Sequence, residues 1–80
     1  MKLFEAVDDV LKGKEKASFD MVSLDNIIND LEYMGFEVDK EIETNGWQVD
    51  FWVMCSKDGV NYMVSGSLYY GNFTFSKYQE

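Results

Sequence analysis

Histidine, arginine and proline are all absent from this 80-residue chain, and cysteine occurs once. Each absence removes a class of chemistry. Without histidine the chain lacks the usual general base and the commonest metal ligand. Without arginine it has no planar fork for bidentate capture of phosphate or carboxylate, and all seven cations are lysines. The single Cys55 excludes a disulfide framework and points to a reducing compartment. With no proline, every backbone position is free to donate to a sheet. No apolar run approaches the roughly 20 residues of a membrane span, and the first residues carry no signal-peptide pattern. These readings lead to the expectation of a soluble, cytoplasmic protein.

What is present is mostly acid. Fifteen Asp and Glu against seven Lys give a formal net charge of -8. A charge of this sign repels nucleic acid and anionic membrane and favours cationic partners, although it also serves solubility. Apolar residues make up 46% of the chain, too many for disorder. Residues 1–80 read as a single domain, whose core leaves a margin of only a few kcal/mol.

The most informative stretch runs from Trp47 to Cys55. Trp47, Val49, Phe51, Val53 and Cys55 alternate with Gln48, Asp50, Trp52, Met54 and Ser56, the period of a strand covered on one side. Asn45-Gly46 before it and Asp58-Gly59 after it suit two-residue turns with positive φ.

Two helices precede it. Residues 2–12 place Leu3, Phe4, Val7 and Leu11 at helical spacing, with Val10 close by and Gly13 as C-cap. Lys12 to Lys16 then reads as a solvated polar linker rather than a nucleic-acid patch. Residues 23–34 form the second helix, with Ser23 as cap and Val22 stapling Ile27; an earlier start near Ser18 stays open. Its stripe is Leu24, Ile27, Ile28, Leu31 and Met34, and Gly35 ends it.

The turns imply a register. A tight turn at Asn45-Gly46 pairs Thr44 with Trp47, Ile42 with Val49, Val38 with Val53 and Phe36 with Cys55. One at Asp58-Gly59 pairs Cys55 with Tyr62, Val53 with Val64 and Val49 with Leu68, leaving Gly66 opposite Phe51. A third at Gly71-Asn72 pairs Tyr70 with Phe73 and Leu68 with Phe75. Lys40 lands on the core face, either as an inward charge protecting an edge strand or as the mark of a bulge. The expected fold is α+β, in the order α-α-β-β-β-β: a four-stranded antiparallel meander with both helices packed on one face.

The open face is where function is sought. Glu37, Asp39, Glu41 and Glu43 form an acidic row on its first strand, with Asp50 across from Glu41. Beside them stand Trp52, Met54, Met63 and Tyr69, with Tyr78 near the far edge and Gln48, Ser65, Ser67, Thr74 and Ser76 between. Carboxylates about 7 Å apart repel by roughly 0.6 kcal/mol per pair in water, so a row of four costs about 2 kcal/mol before screening. A cationic partner would relieve that cost. Charge on an edge strand also guards against aggregation, but a Trp flanked by two Met reads as an interface.

An enzyme is disfavoured. The acids face solvent, so none has the apolar pocket that raises a catalytic carboxyl, and Cys55 has no histidine to activate it. The glycines form no phosphate loop, and the donor set suits neither zinc nor calcium; no cofactor or metal is expected. Direct nucleic-acid binding needs cations around the aromatic platform, and here acids surround it. In composition the chain resembles the small acidic inhibitors that phages and other mobile elements aim at host defence nucleases, of anti-CRISPR or anti-restriction type. That resemblance implies a DNA mimic whose carboxylates occupy phosphate sites on a basic surface. The alternative is a non-inhibitory accessory module, or a homodimeric adaptor docking through the same face.

Overall fold

A computed structural model describes residues 2–20, 23–39, 43–45, 50–67 and 70–78, with the strand course and pairing alone for 43–45. Expectations for Val22, Lys40, Glu41, Ile42, Gly46, Trp47, Gln48, Val49, Leu68 and Tyr69 lie outside the described residues.

The order is α1 (Leu3–Leu11), β1 (Lys16–Asp20), α2 (Leu24–Tyr33), β2 (Glu37–Val38), β3 (Glu43–Asn45), β4 (Asp50–Lys57), β5 (Val60–Ser67) and β6 (Asn72–Lys77). The α+β class and the two helices match the sequence reading. The four-stranded meander does not. All strands pair antiparallel in the order β1-β6-β5-β4-β2, and β3 pairs the same edge of β4 as β2 does. The sheet is therefore five strands wide, with its outer strand in two pieces.

The strand missed in the sequence is β1. Lys16-Ala17-Ser18-Phe19-Asp20 buries Ala17 and Phe19 and exposes the other three, the same period of two that marked β4. It pairs with β6 as the far edge, so neither a linker through Lys16 nor a helix start near Ser18 holds.

Helix α1 is rotated from its expected face. Leu3, Ala6, Val7 and Val10 are buried, while Phe4 is 58% and Leu11 48% exposed. The stripe at i, i+3, i+4 and i+7 is the one that a helix lays on a sheet, and Ala6 at its centre permits close approach. Gly13 at φ +126 closes the helix: its N–H donates to Val10 O at 3.1 Å, and that of Lys14 donates to Asp9 O at 3.1 Å.

Helix α2 follows its expected pattern. The Asn26 N–H donates to Ser23 Oγ at 3.3 Å, and Ile27 and Leu31 are buried. Gly35 at φ +92 ends it, with the Phe36 N–H reaching back to Leu31 O at 3.0 Å. Lys57 Nζ at the end of β4 donates to Met34 O at 2.8 Å and stands 5.4 Å from the Phe36 ring centre, tying this helix end to the sheet.

One of the three expected turns forms as read. Asp58 and Gly59, at φ 54 and 78, join β4 to β5 with Lys57 opposite Val60. The whole β4–β5 register follows, including Cys55 with Tyr62, Val53 with Val64 and Phe51 with Gly66.

The other two connections are longer than expected. Asn45 pairs with Asp50, so residues 46–49 join β3 to β4. Ser67 pairs with Asn72, so residues 68–71 join β5 to β6, and the Gly71 N–H donates to Ser67 O at 2.9 Å. Val38 consequently pairs with Cys55 instead of Val53, Thr44 with Phe51 instead of Trp47, and Phe73 with Gly66 instead of Tyr70. Phe75 pairs with Val64 instead of Leu68. Between Val38 and Glu43 the outer strand runs two residues longer than β4 does between Cys55 and Trp52.

Every one of these slips is by an even number of residues. An odd slip would turn each strand over, whereas an even slip leaves the faces unchanged. Phe51, Val53, Cys55, Tyr62, Val64, Phe73 and Phe75 all lie in the core with Phe19, Phe36 and the buried helix residues. Their rings form two groups. Phe19, Phe73 and Phe51 meet in sequence at 5.6 and 5.4 Å, and Phe36, Tyr62 and Phe75 meet mutually at 5.3 to 5.8 Å.

Gly66 lies beneath the first group. A β-carbon there would collide with the Asn72 carbonyl oxygen and stand 2.7 Å from Phe73 Cδ1, so the β6 backbone and the Phe73 ring together occupy the space that a side chain would need. Gly66→Ala is expected to lower stability by about 1–3 kcal/mol, as overpacking does, read as an earlier urea midpoint. An unchanged midpoint would mean that this contact does not hold β6 in place.

Candidate interaction surface

The face away from the helices is built by parity. From β4 it receives Asp50, Trp52, Met54 and Ser56; from β5, Asn61, Met63, Ser65 and Ser67; from β6, Asn72, Thr74 and Ser76. The edge β1 adds Lys16, Ser18 and Asp20 opposite Ser76, Thr74 and Asn72. That fourth set went unread in the sequence, although the alternation in Lys16–Asp20 carried the signal.

Trp52 stands near the centre, 36% exposed, paired with Ser65 on one side and with residue 43 of β3 on the other. Met54 and Met63 are direct cross-strand partners, both half-buried. Rows of Ser and Thr flank this apolar group on β5 and β6. The expected Trp-Met cluster is thus brought together, with Tyr69 outside the described residues.

The acidic row is only partly assembled. Glu37 and Asp39 are exposed at the β2 edge; Glu37 pairs with Ser56, and the Asp39 N–H donates to Met54 O at 2.8 Å. Glu43 occupies the register position beside Trp52, and Glu41 lies outside the described residues. The two extra residues between β2 and β3 break the even spacing of the row. Among the described residues only Glu37 and Asp39 retain the separation of about 7 Å that neighbours on one strand face have. Asp50 is also displaced: it pairs with Asn45 and Ser67, not with residue 41.

Beside this edge lies a hollow of about 340 Å³. Glu37 and Asp39 stand at it with Val38, Met54, Cys55, Ser56 and Asn61. Carboxylates beside an aliphatic wall suit a lysine or arginine side chain, which carries a cation on an apolar stem.

No charged side chain among the described residues is buried, and no group of three His, Cys, Asp or Glu among them is placed to hold a metal ion. No protein-family model, curated protein or solved structure matches this chain.

Cys55 sits in the core, where burial pushes its thiol up to about 12 from 9.0. The folded state then holds a proton that the unfolded state releases as pH rises past about 9. The thiol's contribution is complete below that pH and is lost as pH climbs toward 12. Comparison with Cys55→Ala isolates it: the native chain is expected to lose stability more steeply above pH 9, by up to about 1.4 kcal/mol per pH unit. At neutral pH the thiol is expected to ignore alkylating reagents until denaturant is added.

Proposed function

We propose that this protein is a small acidic binding module that seats its open sheet face on a basic, nucleic-acid-binding surface of another protein and so blocks it. One observation carries the reading: a single helix-free face bears Trp52 with Met54 and Met63, bounded by Glu37, Asp39 and Asp50. In such an interface the aromatic and Met side chains supply desolvated contact, and the rim charges select and steer the partner.

The hollow beside Glu37 and Asp39 supports a cationic partner specifically, because it offers a carboxylate pair and an apolar wall to one long basic side chain. The net charge of -8 adds long-range attraction to any basic surface. The finer version is a mimic of nucleic acid aimed at a nuclease, as in the anti-defence inhibitors of mobile elements. It rests on charge, size and composition. Pairing of two copies through this face is less favoured, since Glu37 and Asp39 would meet their own kind across a two-fold axis.

The test is competition. Nucleases bound to a labelled oligonucleotide are titrated with the protein at low and at high salt. The protein is expected to displace the oligonucleotide, and displacement should weaken at least tenfold as salt rises past the point where the screening length falls to about 8 Å. Joint substitution Glu37→Lys, Asp39→Lys and Asp50→Lys should abolish displacement while the thermal midpoint is retained. Trp52→Ala should weaken binding by about 2 kcal/mol or more, as loss of a central aromatic does. Affinity indifferent to salt and to charge reversal, yet lost in Trp52→Ala, would overturn the inhibitor reading in favour of an apolar adaptor.

A further inference from the structure

A second, larger cleft of about 690 Å³ opens at the other edge of the sheet, where α1 gives way to β1. Its charge is opposite to that of the molecule. Among the described residues, Lys14, Lys16 and Lys77 line it with Glu15 as the one acid, a formal lining charge of +2 (three lysines less one glutamate) in a chain of net -8. Three of the seven lysines thus border one opening, Lys16 from the open side of the sheet beside Ser76 and Lys77 from the helix side beside Tyr62.

Backbone geometry holds them there. The glycine turn at Gly13 directs the chain out of α1 and into β1. Lys16 pairs with Ser76, and the Lys77 N–H donates to Glu15 O at 3.3 Å. The Tyr78 N–H donates to Asn61 O at 2.9 Å, so the chain stays anchored past the last strand pair. Tyr62, itself buried and stacked on Phe75 at 5.3 Å, forms a fixed wall, and Tyr78 offers a ring that is 40% exposed. Lys12 lies outside the lining and is paired to Asp8 at 2.7 Å; Lys14 is 3.7 Å from Asp9.

We propose that this cleft binds a nucleoside phosphate. Lysines act as point charges for phosphate, the exposed tyrosine ring offers a stacking surface for a base, and the volume fits one small ligand. The surrounding charge sets an upper limit on ligand size. The β2 edge lies four strand spacings away, about 19 Å, beyond a screening length of about 10 Å. A short anion held in the cleft avoids that edge. A nucleic-acid strand long enough to leave the cleft meets the acidic remainder of the molecule and is repelled.

Chemical-shift mapping on the full chain, with ATP, adenosine and inorganic pyrophosphate as probes, tests this. ATP is expected to saturate, with shifts centred on Gly13, Lys14, Lys16, Ser76, Lys77 and Tyr78 and absent from Trp52 and Met54. Pyrophosphate should move the same residues with at least tenfold weaker affinity, and adenosine should not saturate. The double variant Lys16→Gln and Lys77→Gln, both at exposed positions, should weaken ATP at least tenfold with the spectrum of the fold preserved. Tyr78→Ala should weaken ATP and leave pyrophosphate unchanged. Non-saturating shifts shared with Lys2 and Lys57, an unaltered ATP affinity in the lysine variant, or equal affinities for ATP and pyrophosphate would each overturn the assignment.

Discussion

The missing side chain at Gly66 is the constraint on which the rest of the sheet depends. Phe73 lies over that gap between Phe19 and Phe51, and a β-carbon would meet its ring at 2.7 Å. A large ring opposite glycine fixes where β6 lies along β5. The position of β6 in turn decides which residues of β1 it receives. Ala17 then meets Phe75, and Phe19 meets Phe73, so that one packing event sets three strands and closes the far edge of the core.

The second determinant is parity. Phe51, Val53 and Cys55 point under the helices, and Trp52 and Met54 point away, whatever register their neighbours take in even steps. The open face therefore tolerated three differences from the expected pairing without losing its character. Its detailed neighbours did change. Trp52 stands beside Ser65 and the position of Glu43, Met54 beside Met63 and Asp39, and Asp50 beside Asn45. The acidic row depends on spacing along one strand rather than on parity, and the stretch between Val38 and Glu43 is two residues longer than the β4 stretch facing it.

Charge is sorted across the sheet as well as between its faces. Glu37 and Asp39 lie on the β2 side, and Lys14, Lys16 and Lys77 gather where β1 meets β6. A net charge conceals such an arrangement, because it sums over positions that are four strands apart. The lysine cleft draws Lys14 and Lys16 from one segment and Lys77 from the other end of the chain, and only the β1–β6 pairing brings them together.

Local signals in the residues determined the helices, their glycine ends, the Asp58-Gly59 turn and the face of every described core strand from β4 onward. Each of those depends on periodicity or on backbone freedom within a few positions. The strand at Lys16–Asp20 was also legible, since Ala17 and Phe19 alternate with polar neighbours, but five residues between two helical patterns are a weak signal. Only the tertiary structure decided the register of β6, the division of the outer strand, the rotation of α1 and the lysine cleft. The reason is physical: loop length and register follow from how large side chains fill space across the core. That contest, between Phe73 and the gap at Gly66 or between Ala6 and its exposed neighbour Phe4, is settled by residues distant in the chain.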